Sequence, residues 1–285
     1  MKASKMVGGV RDKVSFLVLL LCLGSSMTAM ANSTQSPPAP NSARLLLAEL
    51  RHGDYAHAGD EEAIDLVIEQ LLALNPQIKA GPMLDVGSGF GGTLHYLIQQ
   101  GFKKAQGIDR DASAVAYAKQ RYPKIPFHTL DALKVDTLFS TSTFSLLTLF
   151  NVIYAIPDKA TLLSKLHRVA KPGALLVLFD YSLPPLAEAV VIEDLAGKPM
   201  YPIQESTIQQ DLKAAGWTII RQEDWSDRFI GWYAKLLEKL AVQEKNPFTR
   251  FKAEDLQKLK HTFTYIQAHL QQKRMGGRII YARKS

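Results

Sequence analysis

Gly87, Gly89, Gly91 and Gly92 cluster directly after the apolar run Met83-Leu-Asp-Val86 and directly before a helical pattern carrying Leu94, Leu97 and Ile98. Glycines in that setting let the backbone come close to a ligand, and the helix that follows presents unpaired N–H groups to a negative group. Asp85, two residues before the first glycine, adds a carboxylate at the strand end. Further on, Gly107-Ile108-Asp109 places a second acidic residue where the next strand should end. A carboxylate there can accept hydrogen bonds from both hydroxyls of an adenosine ribose. Together these residues predict a site for an adenosine-containing cofactor. Because Gly87, Gly89 and Gly92 also satisfy GxGxxG, a nicotinamide cofactor is one of the open readings at this point.

Such a site needs strands that end together and helices that begin beside them. The strand candidates are Met83 to Val86, Ala105 to Ile108, Phe127 to Leu130, Ser145 to Leu149, Ala174 to Phe179, Thr218 to Arg221 and Arg278 to Ala282. Helical patterns separate most of them, such as Leu162, Leu163, Leu166 and Val169, so the chain reads as βαβ units. Lys171-Pro172-Gly173 should stop that helix, since proline cannot continue it and glycine permits a reversal. Ser206 with Gln209 reads as a capping box opening a helix that ends at Gly216. The predicted fold is α/β, a Rossmann-like doubly wound sheet of seven strands. Residues 225–275 are too many for a loop between the last two strands. Leu256, Leu259, Phe263, Ile266 and Leu270 form one stripe at helical spacing there. This predicts a helical cap inserted before the last strand and packed beside the site.

The 285 residues are 47% hydrophobic and 21% charged, ordinary for a soluble globular protein. The single cysteine, Cys22, lies in an N-terminal apolar run, and the seven histidines show no metal-ligand spacing, so no metal site is predicted. Lys2, Lys5, Arg11 and Lys13 precede the apolar stretch Phe16 to Leu23, and Ala29-Met30-Ala31 follows it. Residues 1–31 therefore read as a cleavable export signal, with a membrane anchor over residues 14–31 as the alternative. Residues 32–42, with Pro37-Pro38-Ala39-Pro40, have linker composition, and residues 43–285 should form the folded domain. The formal net charge is +7, unevenly spread: residues 225–285 hold 13 Lys/Arg against 5 Asp/Glu, whereas residues 32–224 carry a net −4. The basic end could meet an anionic membrane surface. It lacks the aromatic interleaving of single-strand binders, so no nucleic-acid partner is expected. The sequence leaves the oligomeric state open.

Asp85 to Gly92, Gly107 to Asp109, Asp131-Ala132, Phe144 to Asp158 and Leu166-His-Arg-Val-Ala-Lys-Pro-Gly-Ala-Leu-Leu-Val-Leu-Phe-Asp180 occur in an order and spacing that resemble the class I S-adenosylmethionine-dependent methyltransferase family. The resemblance covers about residues 45 to 225. It implies that Asp85, Gly87, Gly89 and Gly91 form the cofactor turn, that Asp109 with Arg110 meets the ribose, and that Asp131 and Ala132 meet the adenine. Asn151 would face the cofactor from the end of the fourth strand. Nicotinamide enzymes do not generally carry the Lys-Pro-Gly-then-strand segment. Residues Arg51 to Asp65 and the closing Gly277 to Lys284 further resemble small-amine N-methyltransferases acting on sarcosine, dimethylglycine or phosphoethanolamine. The chain departs from the phosphoethanolamine enzymes in reading Tyr154-Ala155-Ile156 where they carry a histidine.

The resemblance implies transfer of a methyl group to a small molecule, in first place an amine. A sulfonium leaving group is already activated, so the protein mainly positions and desolvates the reactants. An amine needs only to be unprotonated, whereas a phenol or acidic carbon would need a stronger base. Tyr154, in the loop expected at the methyl group, is the candidate orienting hydroxyl, with Tyr181 and His57 as further catalytic candidates. Two alternatives stand beside this one: an NAD(P)-dependent oxidoreductase on the same glycine turn, and a methyltransferase-like binding protein without turnover.

Overall fold

The computed structural model describes residues 39–185 and 192–285. The expected export signal and Cys22 lie outside the described residues, as does most of the linker stretch. Helix α1 (Ser42–Leu50) starts inside the stretch of linker composition, because the Asn41 side chain accepts the N–H groups of Ala43 and Arg44 and caps it. Helix α2 (Asp60–Leu74) follows, with Asp60, Glu61 and Glu62 in its first turn complementing the helix dipole.

The sheet then builds as alternating units. Strand β1 (Met83–Val86) leads to α3 (Gly92–Gln99), β2 (Ala105–Asp109) to α4 (Ala112–Arg121), and β3 (Phe127–Thr129) to β4 (Phe144–Phe150). Helix α5 (Lys159–Val169) runs directly into β5 (Ala170–Leu183). Ala170 pairs with Phe144, then Leu175 with Leu146, so Lys171-Pro172-Gly173 sits in a register irregularity with Gly173 at φ +73°. The prolyl nitrogen has no proton to give to a ladder, which is why the chain departs from it there. After β5 come β6 (Ile203–Gln204), α6 (Ile208–Ala214), β7 (Trp217–Asp224), α7 (Ser226–Glu244), α8 (Ala253–Gln271) and β8 (Gly276–Lys284).

The sheet path is β3-β2-β1-β4-β5-β8-β7, parallel up to β5 and antiparallel from β5 through β8 to β7. These are the seven predicted strands. An eighth, β6, pairs with the end of β5 and was not legible, because two residues carry no alternation. Ser206 does not open α6. Its N-cap is Thr207, whose hydroxyl donates to Asp211. Gly216 closes the segment at φ +86°, where any β-carbon would strike the His167 ring.

Strand alternation divides the core between the two faces. From β5, Leu175, Val177, Phe179 and Tyr181 pack with α7 and α8, whereas Leu176 and Leu178 pack with α5 and α6. The stripe Leu256, Leu259, Phe263, Ile266 and Leu270 is fully committed to the first of these layers. Helix α7 therefore lies on the sheet, and α8 packs over α7 and α1 in the same core. The helical insertion expected before the last strand is present; none of its residues lines the main cleft, and the stripe is buried against α7 and α1. Among the described residues, no helix is long and apolar enough to cross a membrane, and no group of His, Cys, Asp and Glu has the arrangement to hold a metal ion.

Candidate active site

The main cleft opens at the carboxyl ends of β1, β2 and β4, where the strand order reverses beside β1. Its empty space, counting the open mouth, is about 1300 Å³. The glycine turn forms its floor. The N–H groups of Gly87 and Ser88 both donate to the Ile108 carbonyl, at 2.8 and 2.9 Å, tying the turn to β2. Gly87 is at φ +74°, and a β-carbon there would stand 2.4 Å from the Val152 side chain. Gly89 is at φ +53°, yet a β-carbon there would meet no protein atom within 4 Å. The space over Gly89 belongs to the cleft. Gly91 does not line it: this residue N-caps α3 and lies against Phe127.

Asp109 lines the cleft from the end of β2. One carboxylate oxygen accepts the Gly89 N–H and the other the Asp111 N–H, both at 2.8 Å. An ionised carboxylate has about four lone-pair sites, so each oxygen keeps capacity for a ligand hydroxyl. Arg110, Asp131 and Ala132 line the same wall, and Asp131 caps the 3-10 turn over Ala132–Thr137 through one oxygen. Asn151, at φ +51°, spends its side-chain carbonyl on the Ala58 N–H at 3.0 Å. Its amide Nδ2 is buried and has no partner, leaving a donor within the cleft wall.

Asp85 is placed differently from the expectation. It is buried within the sheet, accepts the Thr148 hydroxyl at 2.8 Å and does not line the cleft. Burial pushes its carboxyl up to about 7. Its strand-interior position points it across to β4 rather than out over the strand ends.

Tyr154, Ile156, Leu47, Tyr55 and Leu195 also line the cleft. Burial and the nearby Asp180 carboxylate hold the Tyr154 phenol above its ordinary value, so it remains a neutral hydroxyl at physiological pH. Tyr181 stands behind it, edge-on at 5.4 Å between ring centroids, buried and hydrogen-bonded through its hydroxyl to that of Tyr233 on α7. His57 is buried against Phe150 and Phe179. Its Nδ1 lies 2.9 Å from the Ala58 carbonyl, which can only accept, so Nδ1 carries the proton and Nε2 accepts the Thr93 hydroxyl at 3.0 Å. Burial lowers its pKa to about 4. Tyr181 and His57 thus fix walls of the cleft without lining it, because both rings are consumed by the core.

Several lining residues carried no sequence signal. Asn41, Arg44 and Leu47 come from α1, whose start has linker composition. Asp54 comes from the segment joining α1 to α2, held over α4 by the Tyr117 and Tyr122 hydroxyls at 3.0 and 2.6 Å. Asp194 and Leu195 come from a short excursion closed by the Glu193–Pro199 bridge. That excursion is tied to the site through the Tyr201 N–H, which donates to the Tyr154 carbonyl at 2.6 Å.

The donor set fits an adenosyl cofactor: an open glycine floor, a doubly anchored carboxylate at the end of β2, a second carboxylate on the adjoining wall and an unspent amide donor. Comparison with known proteins agrees. The profile described as "Methyltransferase domain" matches residues 78–229. Norajmaline N-methyltransferase of Rauvolfia serpentina is 29% identical over 147 residues, covering 47% of this chain and 50% of that protein. Phosphoethanolamine N-methyltransferase 1 of Arabidopsis thaliana is 24% identical over 178 residues, covering 61% of this chain and 36% of that protein. The chain thus spans half or less of the length of these two relatives.

Among solved structures, phosphoethanolamine N-methyltransferase 2 of Haemonchus contortus, in complex with phosphomonomethylethanolamine and S-adenosylhomocysteine, superposes with a TM-score of 0.75 at 18% identity. That match covers 86% of this chain and 58% of the other. A cyclopropane synthase of Mycobacterium tuberculosis gives 0.63 at 12% identity, covering 85% and 96%. These likenesses show the fold, and the family match decides against the nicotinamide reading that the glycine turn alone leaves open. The chain belongs to the methyltransferase domain family, whose cofactor is S-adenosylmethionine.

Proposed function

We propose that this chain transfers a methyl group from S-adenosylmethionine to a nitrogen of a small-molecule amine. The observation that carries this reading is that one cleft is lined both by Gly87, Gly89, Asp109 and Asp131 and by Tyr154, Tyr55 and Leu47. When bound, the cofactor supplies an electrophilic methyl on sulfur. The chain's own contribution is to orient and to exclude water. Gly87, Gly89, Asp109 and Asp131 hold the donor's position, Asn151 offers its free amide N–H, and Tyr154 presents a neutral hydroxyl and an aromatic wall to the acceptor. Among the described residues, no lining group is a strong base at neutral pH, which suits an amine: the nitrogen attacks with its own lone pair and sheds its proton to solvent afterwards.

The N-methyltransferase relatives support the choice of nitrogen. An assay of methyl transfer against amines, quinols and phospholipids tests it, with turnover expected on amines. Turnover confined to quinols or phospholipids would overturn the acceptor class. Micromolar or tighter S-adenosylhomocysteine binding without turnover on any acceptor would favour a binding protein.

We further propose that the chain is exported and that its basic C-terminal region meets anionic lipid. The basic residues up to Lys13, the apolar stretch Phe16 to Leu23 and Ala29-Met30-Ala31 support export, and the charge asymmetry supports the lipid contact, as does Phe248, 90% exposed between α7 and α8 beside Lys245, Arg250 and Lys252 in sequence. Fractionation of cells producing the full chain tests the export reading.

A further inference from the structure

The loop that follows β4 carries cleft residues, Asn151 and Tyr154 among them, yet its own sequence gives it little reason to hold one shape. Asn151 takes a left-handed backbone that favours glycine, and Ile153–Ala155 is a single 3-10 turn. What fixes it comes from the neighbouring strand. Asp180, wholly inaccessible to solvent on β5, accepts the N–H of Val152 at 2.7 Å, of Ile153 at 2.8 Å and of Tyr154 at 3.4 Å through one carboxylate oxygen. The other oxygen accepts the N–H of Tyr181 at 2.8 Å. The preceding N–H, that of Asn151, goes to the Phe179 carbonyl at 2.7 Å. Every N–H from 151 to 154 is therefore received by residues 179 and 180.

A buried carboxylate is costly to desolvate, and a residue that served packing alone would be apolar here, as Leu178 and Phe179 are. Successive N–H groups opening a turn form a concave donor set that an anion fits. Lys159 secures the far end of the same loop, its ammonium donating to the carbonyls of Ile156 and Tyr201.

We infer that Asp180 is a positioning residue for methyl transfer: by gathering the N–H groups of Val152, Ile153 and Tyr154 it holds the loop in the one arrangement that turns Asn151 and Tyr154 to the cleft. The kinetic part of this inference rests on the function proposed above. The structural part does not.

The test compares Asp180→Ala and Asp180→Asn with Ser182→Ala, which removes another buried polar group from β5, one whose hydroxyl bonds Glu205 and not the loop. Amide hydrogen exchange is followed over residues 151–156 alongside kcat and S-adenosylhomocysteine affinity. In Asp180→Ala, exchange at 152–154 should rise at least about tenfold above that in Ser182→Ala. Its kcat should fall about 10- to 100-fold, with affinity changed only about threefold, because Gly89, Asp109 and Asp131 stay in place. Asp180→Asn keeps one acceptor oxygen and should recover part of both effects. Should Asp180→Ala fail to fold, Asp180→Asn carries the same comparison. Exchange at 152–154 no faster than in Ser182→Ala overturns the positioning role. So does a kcat loss no larger than that variant's. If the wild-type chain binds the cofactor product but methylates nothing, the proposed function fails, and the exchange measurement still decides the role of Asp180 in the loop.

Discussion

The carboxylate of Asp109 accepts the backbone N–H of Gly89 at 2.8 Å, across twenty positions of sequence. Two cleft-lining segments, the glycine turn and the end of β2, are thus bonded to each other within the protein itself. The glycine turn does not wait for a ligand to shape it; the end of β2 shapes it.

Asp109→Ala should therefore weaken S-adenosylhomocysteine binding by about 100-fold or more, since a charge-assisted hydrogen bond contributes about 1.5–3 kcal/mol and two ligand hydroxyls are within its remit. The fold should persist. Titration calorimetry with circular dichroism on the same samples checks this, and an unchanged dissociation constant would remove Asp109 from the site.

The two glycines at the turn should fail in different ways. Gly87→Ala forces a left-handed alanine against Val152 and should lower stability by about 1–3 kcal/mol, with part regained in the double variant carrying Val152→Ala. Gly89→Ala meets no protein atom and should lose only about 1 kcal/mol of stability while cofactor affinity drops at least about tenfold. Denaturant melts paired with binding isotherms separate the two.

Tyr154→Phe should lower kcat by about 3- to 30-fold, the scale of one orienting hydrogen bond, and leave cofactor affinity unchanged. Because the phenol is held above its ordinary value, the pH–rate profile of the wild type should show no alkaline limb that this variant abolishes. A limb near pH 8 that vanishes in Tyr154→Phe would make the residue a base instead.

Asp85 contributes a pH dependence of known sign. Its carboxyl is raised from 3.8 to about 7, so the folded state holds its proton more tightly than the unfolded state. The stability it contributes is present below about pH 4 and lost as the pH rises through about 7. Asp180 acts in the same direction, and His57, lowered to about 4, in the opposite one. Asp85→Asn removes one of these titrations. Relative to wild type, it should gain stability progressively from pH 4 to 7, by at most about 4 kcal/mol, and then level off. Parallel urea melts across that range measure the difference, and a constant difference would contradict it.

Binding to vesicles containing anionic lipid should fall steeply between low and high salt if the basic end meets a membrane, each near-surface Lys or Arg contributing about 1 kcal/mol. Phe248→Ser should weaken it further without altering S-adenosylhomocysteine affinity. Equal sedimentation with neutral and anionic vesicles would discard the surface.

The sequence by itself determined the seven strands of the main sheet path and one part of the cleft's lining. Gly87, Gly89 and Asp109 are legible because strand, turn and helix start are short-range patterns, and each residue's role follows from its place at a strand end. The Lys171-Pro172-Gly173 interruption and the stripe from Leu256 to Leu270 are local in the same sense. Only the tertiary structure decided the rest. Arg44 and Leu47 reach the cleft from a short helix whose role nothing in its own pattern announced, and Asp194 from an excursion with no periodicity. It also turned His57 and Tyr181 into the core, although both types can do chemistry, and gave Asp180 the loop it holds. Periodicity reports which face of an element is buried. It carries nothing about which distant backbone groups will converge on a side chain, because that convergence is settled by how the layers pack.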